Sequence, residues 1–103
     1  QVTHLLSLVS PKMIFVEESA IGLIEKGLEN ASLETEIVVF GESSKYSTFS
    51  DFVKFQETED QFEPVVVDLE EIAVILFSSG TTGLPKAVCH SNRSVLNFTF
   101  FFW

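Results

Sequence analysis

The sequence predicts an α/β fold whose parallel sheet is built from βαβ units. One observation is that short apolar segments alternate with a segment of helical periodicity. A second is the uninterrupted apolar run at residues 72–77, which is typical of a strand covered on both faces of a parallel sheet. The chain has 103 residues and no internal repeat, so one core can be expected.

The first predicted elements are a helix, a strand and a second helix. Residues 2–9 carry closely spaced leucines and valines, which indicate the end of a helix, and residues 13–16 form a short strand after Pro11. Ser19 is the expected N-cap of the next helix, which extends to Asn30. Its predicted core face is Ile21, Ile24 and Leu28, and it is weakened by Gly22 and Gly27.

The remaining elements before the apolar run are shorter. Residues 36–40 form a second predicted strand, and residues 49–55 a short helix capped by Thr48 or Ser50. Residues 57–63 are acidic and are expected to form a surface loop. Three phenylalanines at helical spacing predict core packing, namely Phe49, Phe52 and Phe55.

The strand predicted at residues 72–77 leads directly into Ser-Ser-Gly-Thr-Thr-Gly-Leu-Pro-Lys, residues 78–86. Ligands of parallel sheets bind at such carboxyl ends of strands. Glycines permit positive φ and a nest of N–H groups, hydroxyls donate, and lysine adds a cation. We therefore expect an exposed phosphate-binding loop before a helix that begins near His90. Its binding residues are Ser78, Ser79, Gly80, Thr81, Thr82, Gly83 and Lys86.

The Walker-type loop GxxxxGK[ST] does not fit this register. Counted from Gly80, the second glycine position is occupied by Pro85, and the metal-binding hydroxyl position after Lys86 is occupied by Ala87. The dinucleotide pattern GxGxxG is absent as well.

Residues 78–86 closely resemble the signature phosphate loop of the adenylate-forming enzymes. That superfamily includes acyl-CoA synthetases, 4-coumarate–CoA ligases, beetle luciferases and peptide-synthetase adenylation domains. The segments at residues 11–16, 37–41 and 64–71 are similar to the same family. The resemblance covers roughly residues 1 to 96 and is greatest to the insect luciferase-like and 4-coumarate–CoA ligase-like branch.

The resemblance implies a two-step reaction: a carboxylic acid and ATP-Mg²⁺ give an acyl-adenylate and pyrophosphate, and the acyl group passes to coenzyme A. The loop would hold the β- and γ-phosphates, with Lys86 as an electrostatic partner. Ala87 departs from the glycine usual at its position in the family. An intracellular, peroxisomal location is the family-based expectation.

Enzymes of this superfamily are several hundred residues long, so we expect residues 1–103 to be a partial N-terminal AMP-binding domain. The acyl pocket, the adenosine site, the Mg²⁺ site and the catalytic lysine would lie outside the chain. Alone it is expected to be inactive. The alternative is a non-catalytic phosphate- or nucleotide-binding α/β module, or a degenerate relative without activity.

Composition limits the partners. All 15 acidic residues lie in residues 1–71, and residues 72–103 contain only Lys86 and Arg93 as charged residues. The net charge of −9 argues against nucleic-acid binding and leaves the loop region locally positive. No apolar run approaches the roughly 18 residues of a membrane span. The single cysteine, Cys89, precludes an internal disulfide and is typical of a reducing compartment.

Several other residues resemble functional sites. We interpret Cys89 as a small packed residue. For His90 we favour a capping or core role, and a ligand role stays open because the phosphate loop is near. Glycosylation sequons begin at Asn30, Asn92 and Asn97, and we interpret them as chance matches. The aromatic tail at residues 97–103 is either an edge facing the rest of a domain or non-native sequence; exposed, it would favour aggregation.

Overall fold

The computed structural model describes residues 1–80 and 83–102. The chain divides into two compact units, Gln1–Asp60 and Gln61–Trp103, and each is described by itself. No helix in the described part is long and apolar enough to cross a bilayer.

The first unit is a three-stranded parallel sheet with helices, which confirms the α/β class. Its order is α1 (Val2–Val9), β1 (Met13–Glu17), α2 (Ile21–Ala31), β2 (Glu36–Phe40), β3 (Ser47–Thr48) and α3 (Phe49–Phe52). The strands lie in the order β1-β2-β3, and Ile14 is the register partner of Ile37. The β1–α2–β2 connection is thus the expected βαβ unit.

One face of this sheet carries the core. Leu6 of α1 and Leu28 of α2 pack on Val16, Ile37 and Val39. Val38 and Val39 are fully buried. The two helices approach each other at Gly27, where a Cβ would lie 2.9 Å from Leu6 Cδ1 and 2.9 Å from Val2 Cγ1. The glycine that weakens α2 locally therefore permits its packing.

Helix α2 begins differently from the prediction. A 3₁₀ turn at Glu18–Ala20 precedes it, the N-cap is Ala20, and no side chain caps the helix. The expected Ser19 cap is therefore wrong, because Ser19 lies inside the 3₁₀ turn. The helix also continues to Ala31, where Ser32 takes a left-handed conformation with φ 54°.

Helix α3 is shorter than expected. Thr48 caps it, accepting a hydrogen bond from the Asp51 N–H, and the helix ends at Phe52. Phe49, Phe52 and Phe55 are exposed, so their predicted core role is wrong. Phe49 and Phe52 instead form an exposed aromatic cluster with Phe15 and Phe40 on the sheet face opposite the core.

The second unit is an antiparallel hairpin followed by a helix: β4 (Ile72–Ser78), β5 (Lys86–Ser91) and α4 (Asn92–Phe101). The strand expected at residues 72–77 is confirmed, but its buried, parallel environment is wrong. Every residue of β4 is exposed. Among the described elements of this unit, α4 is the helix that packs on the hairpin, and one helix cannot cover both faces of a strand that is apolar from Ile72 to Phe77.

Strand β5 was not anticipated. His90 belongs to this strand, and the helix begins two residues later, at Asn92. Ser91 caps it, since its Oγ accepts a hydrogen bond from the Ser94 N–H at 3.2 Å. The expected capping role of His90 is therefore wrong; His90 is half-buried on the strand. The tail phenylalanines at 100, 101 and 102 are exposed, and Trp103 lies outside the described residues.

Candidate functional site

The candidate phosphate loop closes the β4–β5 hairpin. Ser78, the last residue of β4, is the register partner of Lys86, the first residue of β5. Residues directly opposite in an antiparallel pair direct their side chains to the same face. The hairpin therefore brings one predicted hydroxyl donor and the predicted cation together at the mouth of the loop.

Both glycines of the loop have positive φ angles, which favour glycine over residues with a side chain. Gly80 has φ 50° and Gly83 has φ 91°, and, apart from their chain neighbours, no atom of the described residues lies within 4 Å of a Cβ built at either position. The requirement is thus set by the backbone and not by crowding. Gly83 lies farther from the left-handed helical minimum, so a side chain would strain it more.

The described loop residues are accessible to a ligand. Ser78, Ser79, Gly80 and Gly83 are exposed, as is Lys86. Within residues 1–80 and 83–102, no ion pair involves Lys86. Thr81 and Thr82, the other two predicted hydroxyl donors, lie outside the described residues.

The second cation of this region does not serve the loop. Arg93 Nε donates to Glu70 Oε1 at 2.6 Å, and both side chains are more than half exposed. Arg93 also lies beyond the far end of β5, which spans about 20 Å at the usual rise per residue. Among the described residues, Lys86 therefore provides the positive charge of the loop. The locally positive loop region expected from composition thus depends on one side chain.

The donor set fits a phosphate group better than a metal ion. Hydroxyls, N–H groups and an ammonium all donate to phosphate oxygens, whereas Mg²⁺ prefers oxygen ligands such as carboxylates. No acidic residue occurs after Glu71, and no cluster that could hold a metal is found in the described part of the chain. The described residues of the loop thus offer no carboxylate ligand for a magnesium ion.

A small apolar cavity lies on the same face of the hairpin, beneath α4. Its volume is about 290 Å³, and its lining residues are Val74, Leu76, His90, Ser94, Val95 and Phe98. The opposite face carries Ile75 and Cys89, which are register partners. Cys89 is exposed, so its expected packed environment is wrong, and none of the lining residues of the cavity beneath α4 lies on that face.

The end of the hairpin opposite the loop is held by what we term the hairpin clamp: the turn at residues 68–71 together with Asn92 and Arg93. Asn92 Nδ2 donates to the carbonyl oxygens of Asp68 at 3.0 Å and Glu71 at 3.2 Å. The Asn92 and Arg93 N–H groups donate to Glu71 O and Leu69 O, each at 2.9 Å.

Sequence reasoning missed the hairpin clamp. Its partners are 21 to 24 residues apart, so no local pattern marks it. At Asn92 the only local signal was a glycosylation sequon, yet the amide nitrogen that would carry a glycan is occupied by two carbonyl contacts. The structure therefore supports interpreting that sequon as a chance match.

Comparison with known proteins gives one family and several relatives. The family model described as "AMP-binding enzyme" matches residues 1–103. The structure of a luciferase-like enzyme from the nonluminescent mealworm Zophobas morio is 48% identical, with a TM-score of 0.82, over 97% of this chain and 24% of that one. An anthranilate CoA ligase crystallised with anthranoyl-AMP is 29% identical, with a TM-score of 0.74, over 88% of this chain and 18% of that one.

The sequence of this chain is also similar to that of a CoA ligase. The 3-hydroxybenzoate–CoA/4-hydroxybenzoate–CoA ligase of Thauera aromatica is 30% identical over 86 residues. The match covers 82% of this chain and 16% of the relative. This chain thus spans about a quarter or less of each of the three proteins compared.

Proposed function

Because this chain belongs to the AMP-binding enzyme family, we propose that it forms part of an ATP-dependent acid–CoA ligase of the 4-coumarate–CoA ligase-like or luciferase-like type. Such an enzyme activates a carboxylic acid as acyl-adenylate and transfers the acyl group to coenzyme A. The single structural observation that supports this assignment is the β4–β5 hairpin loop. The loop contains two positive-φ glycines, Gly80 and Gly83, and its ends place Ser78 opposite Lys86.

We propose that the loop binds the β- and γ-phosphates of ATP. Ser78, Ser79, Thr81 and Thr82 would donate from hydroxyls, and Gly80 and Gly83 would let the backbone approach. Lys86 would supply the charge that stabilises pyrophosphate as it leaves. Mg²⁺, where it takes part, would be held by the phosphates and by residues outside this chain.

The names of the relatives suggest the kind of acid. The Thauera aromatica enzyme is a hydroxybenzoate ligase and one structural neighbour is an anthranilate ligase. We accordingly propose an aromatic carboxylic acid as the first substrate class to test. An intracellular, peroxisomal location is proposed with it, and fluorescence co-localisation of the whole protein with a peroxisomal marker tests that.

The test of the activity is acid-dependent ATP–pyrophosphate exchange by the whole protein, with a panel of benzoates, cinnamates and fatty acids. Exchange that requires an acid, followed by acyl-CoA formation on adding coenzyme A, is the expected result. ATP binding without exchange on any acid would instead favour the non-catalytic nucleotide-binding module. Residues 1–103 alone should show no exchange, because they span about a quarter or less of each relative compared.

A further inference from the structure

The register of the β4–β5 hairpin determines what lies at the mouth of the loop. In the observed register Ser78 is opposite Lys86, and Ile75 is opposite Cys89. A slip by one residue would place Phe77 or Ser79 opposite Lys86 and would reverse the face of every side chain on that strand. The loop's chemistry thus depends on holding this register.

Two of the usual devices that fix a register are weak in this hairpin. A strand with one buried and one polar face resists slipping, but residues 72–77 are all apolar and all exposed. Tight two-residue turns also fix a register, but residues 79–85 form a seven-residue connection between the strands. The register also shifts by one residue between Ile72 and Val74, so the Ile72–Ser91 pair beside the clamp is offset from the pairs that lead to the loop.

The hairpin clamp supplies the missing constraint. The Asn92 amide joins the end of β5 to the turn that begins β4, through the carbonyl oxygens of Asp68 and Glu71. The turn itself is held in shape, since the Glu70 N–H donates to Asp68 Oδ1 at 2.8 Å. These contacts hold the end of the hairpin where Ile72 pairs with Ser91, which is the end remote from the loop.

We propose that Asn92 is a positioning residue: its side-chain amide sets the hairpin register and thereby holds Ser78 opposite Lys86. Its catalytic consequence rests on the proposed function, whereas its effect on register does not. Asn92 itself lies at the opposite end of β5 from the loop and acts only through the strands.

The register can be read from cross-strand disulfide formation with the native Cys89. Directly opposite residues have Cα atoms about 4.5–5.5 Å apart, within the range that a disulfide spans. Ile75→Cys reports the observed register, and Leu76→Cys and Phe77→Cys report slips by one and two residues. Trypsin cuts after Lys54, Lys86 and Arg93, so the crosslink joins peptides 55–86 and 87–93 and can be quantified in the whole protein.

The test compares these reporters with and without Asn92→Ser, which removes the amide donors without adding charge. Asn97→Ser, on the exposed part of the same helix, is the matched control. We expect the preference for Ile75→Cys over the two slip reporters to fall about tenfold in Asn92→Ser, which is the effect of losing two ordinary hydrogen bonds, and to be unchanged in Asn97→Ser. An unchanged preference in Asn92→Ser would overturn the proposal.

A second variant separates positioning from helix stability. Asn92→Asp places an anion at the first turn of α4, which favours the helix, but it cannot donate to the two carbonyls. If Asn92 served only the helix, this variant would keep the register and the activity. We expect it to lose the preference as Asn92→Ser does, and it also gives a result should Asn92→Ser prove insoluble.

The effect on catalysis is measured separately. In the whole protein Asn92→Ser should lower kcat for adenylation about tenfold while KM for the acid changes less than twofold, because the phosphate loop and not the acid site is displaced. If Asn92→Ser changes the register but the unsubstituted protein shows no adenylation, the proposed function is refuted and the positioning role stands. Adenylation with a register indifferent to Asn92 would refute the positioning role alone.

Discussion

The two units of this chain differ in how fully they bury their apolar strand residues. In Gln1–Asp60, two helices cover one sheet face, and Val39 on that face is fully buried. In Gln61–Trp103, the more apolar strand, β4, has no buried residue. An apolar run therefore predicts a strand well, whereas burial depends on covering elements, and this chain spans a quarter or less of each relative compared. The proposed phosphate loop lies on the less protected unit, as is common for binding loops.

Core truncation should produce the largest difference between the units. Leu28→Ala removes a side chain that is 7% exposed and should cost about 2–5 kcal/mol of unfolding free energy. Leu76→Ala, at 57% exposed, should change stability by roughly 0.5 kcal/mol or less. Urea unfolding of both variants, followed by circular dichroism, measures this. Equal losses would mean that the second unit has a core of its own.

The helix contact in the first unit gives a smaller and more specific effect. Gly27→Ala forces a Cβ against Leu6 and Val2, which should cost about 1–3 kcal/mol before the gain in helix propensity is counted. Gly22→Ala, in the same helix with no atom within 4 Å, should gain up to about 1 kcal/mol. Chemical denaturation of these two variants separates the effect of side-chain packing on the unfolding free energy from the effect of helix propensity. Stabilisation by both substitutions would contradict the close α1–α2 contact.

These contrasts show what the sequence could and could not predict. The bounds of α1 and β2 were correct because each depends on a local pattern of apolar residues. The family was predicted from nine consecutive residues, and the family model confirms it. Strand β5 was missed because Lys86–Ser91 carries no alternation and β-pairing with β4 is what defines it. The hairpin clamp and the cluster of Phe15, Phe40, Phe49 and Phe52 depend on contacts between distant residues, which no local pattern encodes.

The glycines of the loop should tolerate a side chain to different degrees. Gly83→Ala, at φ 91°, should cost about 1 kcal/mol or more, whereas Gly80→Asn, at φ 50°, should be nearly neutral, since asparagine adopts the left-handed region. Thermal unfolding of both variants in the whole protein tests this order of stability. A reversed order would mean that the loop has another backbone shape.

The smallest effect concerns an exposed ion pair in the first unit. Lys45 Nζ donates to Glu25 Oε1 at 2.5 Å, and the Tyr46 hydroxyl donates to the same oxygen. The Lys45 hydrogen bond, then that of Tyr46, lowers the pKa of Glu25 below 4.5, and the Glu25 hydrogen bond raises the pKa of Lys45 above 10.5.

The sign of the pH dependence follows from these two directions. The stabilisation from Glu25 is present above pH 4.5 and is lost as the pH falls through its lowered folded-state pKa. That from Lys45 is present below pH 10.5 and is lost above its raised pKa. Because the pair is exposed, Glu25→Gln should only slightly reduce the loss of unfolding free energy as the pH falls. The control variant Glu29→Gln should reduce that loss still less. A large acid effect of Glu25→Gln would indicate a buried role.

The proposed phosphate role of the loop is tested most directly by single-turnover adenylation in the whole protein. Thr81→Ala and Thr82→Ala should slow adenylation about tenfold to a hundredfold, as expected for a lost donor to developing charge, and Lys86→Ala should act in the same direction with a smaller effect. The matching Thr→Ser variants keep the hydroxyls and Lys54→Ala removes a lysine of the other unit, so all three should retain the normal rate. Unchanged rates in all three alanine variants, together with a weakened affinity for the acid, would contradict the phosphate role and assign the loop to the acyl site.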